Sequence, residues 1–419
     1  MSLWDWIKER LFGVPPSRDV SRLEPGSGQR DAVTEAVDTG GGPLKPGHRR
    51  RAIRDRRLFP KARTPIGRRP RVMKPHEARR LFSASLLTRN RSIRDLAPDE
   101  EQLKRYGLPL WRTEDDLARA LELSLGQLRW LSIHRERESC PHYVTFAIPK
   151  ATGGERLIMA PKRRLRRVQR RLHELLVSRL PVSPQAHGFR PRRSVKTGAE
   201  QHLGKPIVLH LDLADFFPTL AWHRVRGLLI AYGYSYPVAT VLALLMTEAE
   251  RQPVEVDGKL FHVPVSPRYC PPGAPTSPGL GNALLLRLDR RLIGLARKFG
   301  FAYTRYADDL TFSGEAERKI AYGLVCRVRE VVEAEGFSLN DRKTRFMGSG
   351  RRQTVTGVVV NRVLGLSRNE RRRLRAALHQ HRGEPDPQLL GKLAYLWMLN
   401  PQQAMALWPA DWPRPRRAR

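Results

Sequence analysis

Cysteine is almost missing from this chain. Cys140, Cys270 and Cys326 are the only three in 419 residues, an odd number set far apart. That spacing suggests neither a disulfide framework nor a cysteine-based zinc cluster. The twelve histidines show no ligand spacing either, so His173, on a basic stretch, and His187, beside Gly188, read as surface or packing residues. Long apolar runs are also absent. The longest candidate, Val238 to Met246, suits a buried helix and falls well short of the roughly 18 residues that cross a bilayer. At the start, Trp4, Trp6, Ile7, Leu11 and Phe12 are interrupted by Asp5, Lys8, Glu9 and Arg10, so there is no continuous apolar block of the secretory kind. These absences point to a cytoplasmic protein with no membrane partner. No internal repeat is visible.

Acidic residues are scarce as well, 41 against 77 Lys and Arg, for a net charge of +36. That excess exceeds what solubility requires, and its sign calls for a polyanionic partner, nucleic acid before a membrane surface. Hydrophobic content of 40% supports a globular protein, and the length allows two or three subdomains around a substantial core. Residues 1–95 form a basic extension rich in Pro, Gly and Arg, with runs such as Gly40-Gly41-Gly42-Pro43 and Arg49-Arg50-Arg51. Such a composition buries too little apolar surface to offset chain entropy, so this extension is expected to be largely disordered apart from a short amphipathic helix at Leu3 to Phe12.

Order is expected to begin between Pro75 and Pro98. Thr113 offers a capping-type start for a helix carrying Leu117, Leu121, Leu125 and Leu128 at helical spacing. His142 to Lys150 alternates as a strand, Thr152-Gly153-Gly154 turns it, and Glu155 to Met159 returns, which sets Lys150 and Arg156 near one hairpin tip. A very basic helix follows Pro161, with Leu165, Val168, Leu172, Leu175 and Leu176 as its buried stripe. Ile207 to Leu213 reads as a strand buried in a sheet. Asp212 near its end is costly unless paired or metal-bound. Helices are expected over Trp222 to Tyr232, Val238 to Ala249 and Leu280 to Lys298, with a loop or small hairpin over Gly258 to Arg268. Further helices follow over Lys319 to Glu335 and from Ser367 to about Leu407.

The stretch from Phe301 to Ser313 carries the strongest signal. Aromatic and β-branched residues flank Ala307-Asp308-Asp309, which predicts strand, tight turn, strand, with Ala307 and Asp308 at the bend. Adjacent carboxylates repel unless a positive charge lies between them, and a hard divalent cation with oxygen ligands provides one. A solvated Asp-Asp turn is the plain alternative. Asp212 lies almost a hundred residues earlier in the sequence, also at the end of an expected strand, and a central sheet can bring all three acids to one edge. Two magnesium ions on such carboxylates support in-line phosphoryl transfer, with Lys150 and Arg156 as cations for a triphosphate.

Five segments in order carry a resemblance. They are Tyr143-x-x-Phe146-x-Ile148-Pro149-Lys150 with Gly153-Gly154-x-Arg156, Ala186-His187-Gly188-Phe189, Asp212-Leu213-x-Asp215-Phe216-Phe217-Pro218, Gly273-Ala274-Pro275-Thr276-Ser277-Pro278, and Tyr306-Ala307-Asp308-Asp309. From about Leu117 to Leu399 the chain resembles the bacterial retron reverse transcriptases. The resemblance implies an α+β right-hand polymerase fold: fingers over 96–205, a palm with an antiparallel sheet and some finger elements over 206–360, a helical RNA-binding thumb over 361–410 and a basic tail over 411–419. It implies metal-binding catalytic acids at Asp212, Asp308 and Asp309, with the Leu213 carbonyl as a further ligand. Lys150, Arg156, Phe217 and Gly273 become nucleotide-binding residues, Phe217 as the bulky gate that excludes a ribose 2′-hydroxyl.

Val355-Thr356-Gly357 matches the retron signature near bound RNA, and Gly198-Ala199-x-x-His202 matches a second signature with its Asn replaced by Gly. With Arg371, Arg372 and Arg375, these are the expected RNA contacts. Pro272 stands where the family usually has Gln. The implied cofactors are two Mg2+ ions with deoxynucleotide substrates. The implied partners are a cognate structured non-coding RNA, its DNA product, and an effector protein from the same locus. The implied job is to prime from the 2′-hydroxyl of an internal guanosine and make branched multicopy single-stranded DNA in anti-phage defence. A group II intron-like or diversity-generating reverse transcriptase, and a non-catalytic RNA-binding scaffold, remain the alternatives.

Overall fold

A computed structural model of the chain describes residues 71–72, 97–133, 138–149, 155–381 and 384–413. The helix expected at Leu3 to Phe12, Lys150, the Thr152 to Gly154 turn and most of the basic tail lie outside the described residues. Two compact units separate: one takes in 1–67 with Phe146–Leu157, the other 68–145 with 158–419. In the first, the described residues belong to the facing ends of strands β2 (Tyr143–Pro149) and β3 (Glu155–Pro161), which pair as a two-stranded sheet.

The second unit is mixed helix and sheet. Its centre is a four-stranded sheet in the order β7 (Phe301–Tyr306), β8 (Asp309–Gly314), β4 (Ile207–Asp212), β9 (Arg345–Gly348), with all neighbours antiparallel. Alternation along the strands gives this sheet two unlike faces. Leu209, Leu211, Leu310, Phe312 and Tyr303 join the main core, which also takes in Leu288, Leu292 and Ala296 of the helix Leu286–Lys298 and Ala321, Leu324 and Val328 of the helix Arg318–Ala334. The other face carries Val208 and Met347 into a smaller cluster with Ala199, Val355, Val358 and Val360. Beyond that cluster the same face presents His210, Asp212, Asp309, Thr311 and Ser313, because these positions lie between the apolar ones. Burial on both sides explains why β4 reads as a nearly continuous apolar run.

A second antiparallel pair, β5 (Arg251–Val256) and β6 (Lys259–Pro264), with the two-residue β1 (Arg71–Val72) parallel to β5, realises the small hairpin expected near Gly258. Three expected helical stretches are each divided. Thr113 does cap a helix with a full capping box, but it ends at Ala120, and Ser124 caps a separate helix, Leu125–Ser132, with a box of its own. The helix expected from Leu280 to Lys298 starts at Ser277 and is interrupted at Leu285, giving Ser277–Leu284 and Leu286–Lys298. The C-terminal helices Arg368–Gln380, Pro387–Leu399 and Pro401–Met405 close on a third cluster that includes Leu374, Leu393, Leu396 and Trp408. Among the described residues no helix is long and apolar enough to cross a membrane.

Candidate active site

The pairing register brings the three acids together. Asp212, last residue of β4, stands directly opposite Asp309, first residue of β8, and Asp309 also pairs with Tyr306 across the hairpin. Asp308 therefore occupies a two-residue turn with Ala307, as the sequence predicts, and Ala307 adopts φ +56° to make the reversal. The Leu213 amide donates to the Asp308 carbonyl at 3.0 Å, tying the turn to the end of β4. Asp212 and Asp309 stand at one end of the polar face of the sheet, with Asp308 in the adjoining turn.

Burial and neighbouring negative charge act together on Asp309. The Asp309 carboxyl is pushed up to about 7, first by burial and then by Asp308 and Asp212. Lys343 opposes this. Its ammonium donates to Asp212 Oδ1 at 2.8 Å and is itself pushed up, first by that hydrogen bond. His210, on the same face, places Nε2 3.6 Å from Asp309 Oδ1, and burial pushes its imidazole down. Among the described residues no group of three His, Cys, Asp or Glu side chains is arranged to hold a metal as it stands, and it is Lys343 that supplies positive charge at Asp212. The donor set nevertheless suits a hard divalent cation, since it consists of carboxylate oxygens. Even with Lys343 opposing them, burial and the two neighbouring acids hold Asp309 well above the ordinary carboxylate range.

Phe217 lies just beyond Asp212 in the short helix Phe216–Thr219 and is half-buried, its ring 5.2 Å from that of the buried Phe216. Phe216 fills the core there, which leaves the outer part of Phe217 available. Gly273 is held against β3: Met159 donates to the Pro272 carbonyl at 2.8 Å, and a Cβ at Gly273 would lie 2.9 Å from both the Met159 carbonyl oxygen and Ile158 Cγ2. With φ +115° as well, only glycine fits. Pro272 thus contributes its carbonyl to β3. Arg156 is exposed, in the hairpin unit.

Two expected RNA contacts are corrected. His202 is fully buried, with Nδ1 2.7 Å from Ser313 Oγ and Nε2 2.7 Å from Thr304 Oγ1. It bridges β7 and β8 on the polar face, and its side chain does not reach the surface. Val355 is also a core residue, 2% exposed. In the same signature Thr356 and Gly357 form the turn between β10 (Thr354–Val355) and β11 (Val358–Val359), both with positive φ, and Gly357 is exposed. Arg372 and Arg375 are exposed and Arg371 is half-buried. At Gly198, a Cβ would lie 3.4 Å from His187 Cβ and Cγ, so the buried His187 ring fills the space beyond this position that a longer side chain would enter. Sequence reasoning missed Lys343, whose only signal was that Asp212 needed a counter-charge. It also missed the buried Arg305.

The chain matches the reverse transcriptase (RNA-dependent DNA polymerase) family over residues 148–366. It is 58% identical to the Retron Mx65 reverse transcriptase of Myxococcus xanthus, over 97% of this chain and 98% of that one. It is 44% identical to the Retron Mx162 reverse transcriptase of the same organism, over 74% and 69%. With the Retron Ec86 reverse transcriptase of Escherichia coli it shares 29% identity over 66% and 81%. Such enzymes use a divalent metal and deoxynucleoside triphosphates. The identity and coverage, together with paired acids at the end of an antiparallel sheet, place the chain among the bacterial retron reverse transcriptases, as an RNA-directed DNA polymerase.

Proposed function

We propose that Asp212, Asp308 and Asp309 are the catalytic acids of this polymerase and hold two Mg2+ ions, with the Leu213 carbonyl as an additional ligand. The observation that carries this reading is the direct cross-strand pairing of Asp212 with Asp309, with Asp308 in the adjoining turn. The bound ions would supply activation of the attacking hydroxyl and stabilisation of the leaving pyrophosphate. The sheet holds the carboxylates in place beforehand, so little reorganisation accompanies the reaction. Lys343 balances Asp212 when no metal is present. Phe217 blocks a ribose 2′-hydroxyl, and Gly273, Lys150 and Arg156 contact the nucleotide, the two cations at its triphosphate.

In this reading residues 96–205 act as fingers, 206–360 as palm and 361–410 as thumb. Thr356, Gly357 and the thumb arginines Arg371, Arg372 and Arg375 grip a structured non-coding RNA through its backbone and shape. The enzyme primes from the 2′-hydroxyl of an internal guanosine of that RNA and makes branched multicopy single-stranded DNA. It does so in the cytoplasm, in anti-phage defence with an effector protein. The net charge of +36 supports a polyanionic partner. Asp308→Asn tests the assignment: it should abolish DNA synthesis while RNA affinity stays nearly unchanged, and undiminished synthesis would defeat it.

A further inference from the structure

The structure assigns Arg305 as a positioning residue that sets the acid-bearing turn; this rests on the reading of Asp308 and Asp309 as metal-holding acids. Arg305 stands on β7 opposite Leu310, so its side chain enters the apolar face of the sheet, away from solvent and from the face that carries Asp212 and Asp309. Its side chain is 0% exposed, as is that of its partner Asp289, in the helix Leu286–Lys298. The guanidinium takes Asp289 in a bidentate grip, Nε to Oδ1 at 2.8 Å and Nη2 to Oδ2 at 2.7 Å. The Tyr303 hydroxyl donates to the same carboxylate at 2.8 Å. A buried ion pair of this kind contributes little net stability compared with apolar residues of the same volume, so its presence calls for another explanation.

The remaining edge of the guanidinium provides one. Nη1 donates to the Ala307 carbonyl at 3.1 Å and to Asn282 Oδ1 at 3.0 Å. Ala307 is the turn residue forced to positive φ, a conformation that a non-glycine residue keeps only when its surroundings impose it. Asn282 in turn donates from Nδ2 to the Gly188 carbonyl at 2.8 Å. Gly188 lies against the turn, since a Cβ there would sit 3.1 Å from the Ala307 amide nitrogen and 3.3 Å from the Tyr306 ring. The backbone completes the brace: Arg305 donates to Gln185 and His187 donates to Arg305, both at 2.8 Å. The turn is thus fixed by Asp289 through a rigid planar fork and by the Gln185 to Gly188 loop through Asn282. A lysine could keep the charge at 305 but could not hold Asp289 and Ala307 at once.

The test uses the full-length chain with Mn2+ as an EPR-visible probe, alongside single-turnover DNA synthesis. Asn282→Ala removes one acceptor and the Gly188 bond while leaving the Arg305–Asp289 pair in place. It should raise the Mn2+ concentration for half-saturation about tenfold, the loss of roughly one charge-assisted hydrogen bond. It should also lower kcat while leaving KM for nucleotide and RNA affinity unchanged. Arg305→Lys should do the same more strongly, and if it does not fold, Asn282→Ala decides alone. Wild-type Mn2+ binding and kcat in a folded Asn282→Ala variant would overturn the assignment. Asp308→Asn serves as the control: if it also binds Mn2+ as the wild type does, the acid site itself is misplaced, a failure distinct from that of the brace.

Discussion

His202 offers a sharp test because its burial overturns a role suggested by its motif. The imidazole is fully buried, and burial first, with a smaller contribution from His187, pushes it down to about 3 from 6.5. In the folded chain it is therefore neutral at any ordinary pH, whereas in the unfolded chain it takes up a proton below its usual value. A histidine depressed in this way contributes stability above the unfolded pKa and loses it as pH falls toward the folded one. The slope is about 1.4 kcal/mol per pH unit in that window. Between about pH 7.5 and 5, only the part below the unfolded value counts, roughly 1.5 units, or about 2 kcal/mol. Glutamine is neutral throughout and can bond both the Ser313 and Thr304 hydroxyls. In urea denaturation followed by tryptophan fluorescence, His202→Gln should therefore lose about 2 kcal/mol less than the wild type over that pH range. Its RNA affinity should be unchanged. An equal pH dependence in the two proteins would refute the burial argument.

Phe217→Ala should admit ribonucleotides, read as a fall in the ratio of kcat/KM for deoxynucleotides to that for ribonucleotides; an unchanged ratio would show that Phe217 merely packs. Val355→Ala should cost about 2 kcal/mol of stability by leaving a cavity in the cluster under β10. Arg372→Ala with Arg375→Ala should leave stability unchanged, weaken RNA binding and flatten its salt dependence; lost stability with unchanged RNA binding would remove these arginines from the RNA interface. Gly273→Ala should destabilise the chain by more than about 1 kcal/mol, because its Cβ meets the Met159 carbonyl and its φ is positive. A neutral result in thermal melting would show that this segment can give way.

Much of the site was legible because its determinants are local. Alternating residues around Ala307-Asp308-Asp309 specify a hairpin, and the apolar run ending at Asp212 specifies a central strand that must place its acid at a sheet end. The expectation that Asp212 is paired or metal-bound was met by Lys343, but which residue supplies the charge depends on the fold after Phe337, and β9 is too short to announce itself. Burial was what the motifs hid. His202 and Val355 sit in signatures read as RNA contacts, yet the side chain of each turns into the molecule, where Thr304, Ser313 and Met347 decide its role. The leucine periodicity from Leu117 to Leu128 runs through two helices because the cap at Ser124 resets the chain without disturbing the spacing. Arg305 looked like part of an alternating strand, and only the distant Asp289 and Asn282 show why an arginine is there.

The central claim is that three acids brought together by strand pairing hold the metal that joins nucleotides. A crystal of the full chain with its RNA, a deoxynucleoside triphosphate and Mn2+ tests it most directly. Anomalous density should appear between the carboxylates of Asp212, Asp308 and Asp309, with the Lys343 ammonium moved off Asp212. Density elsewhere, with Lys343 still bound to Asp212, would contradict the account.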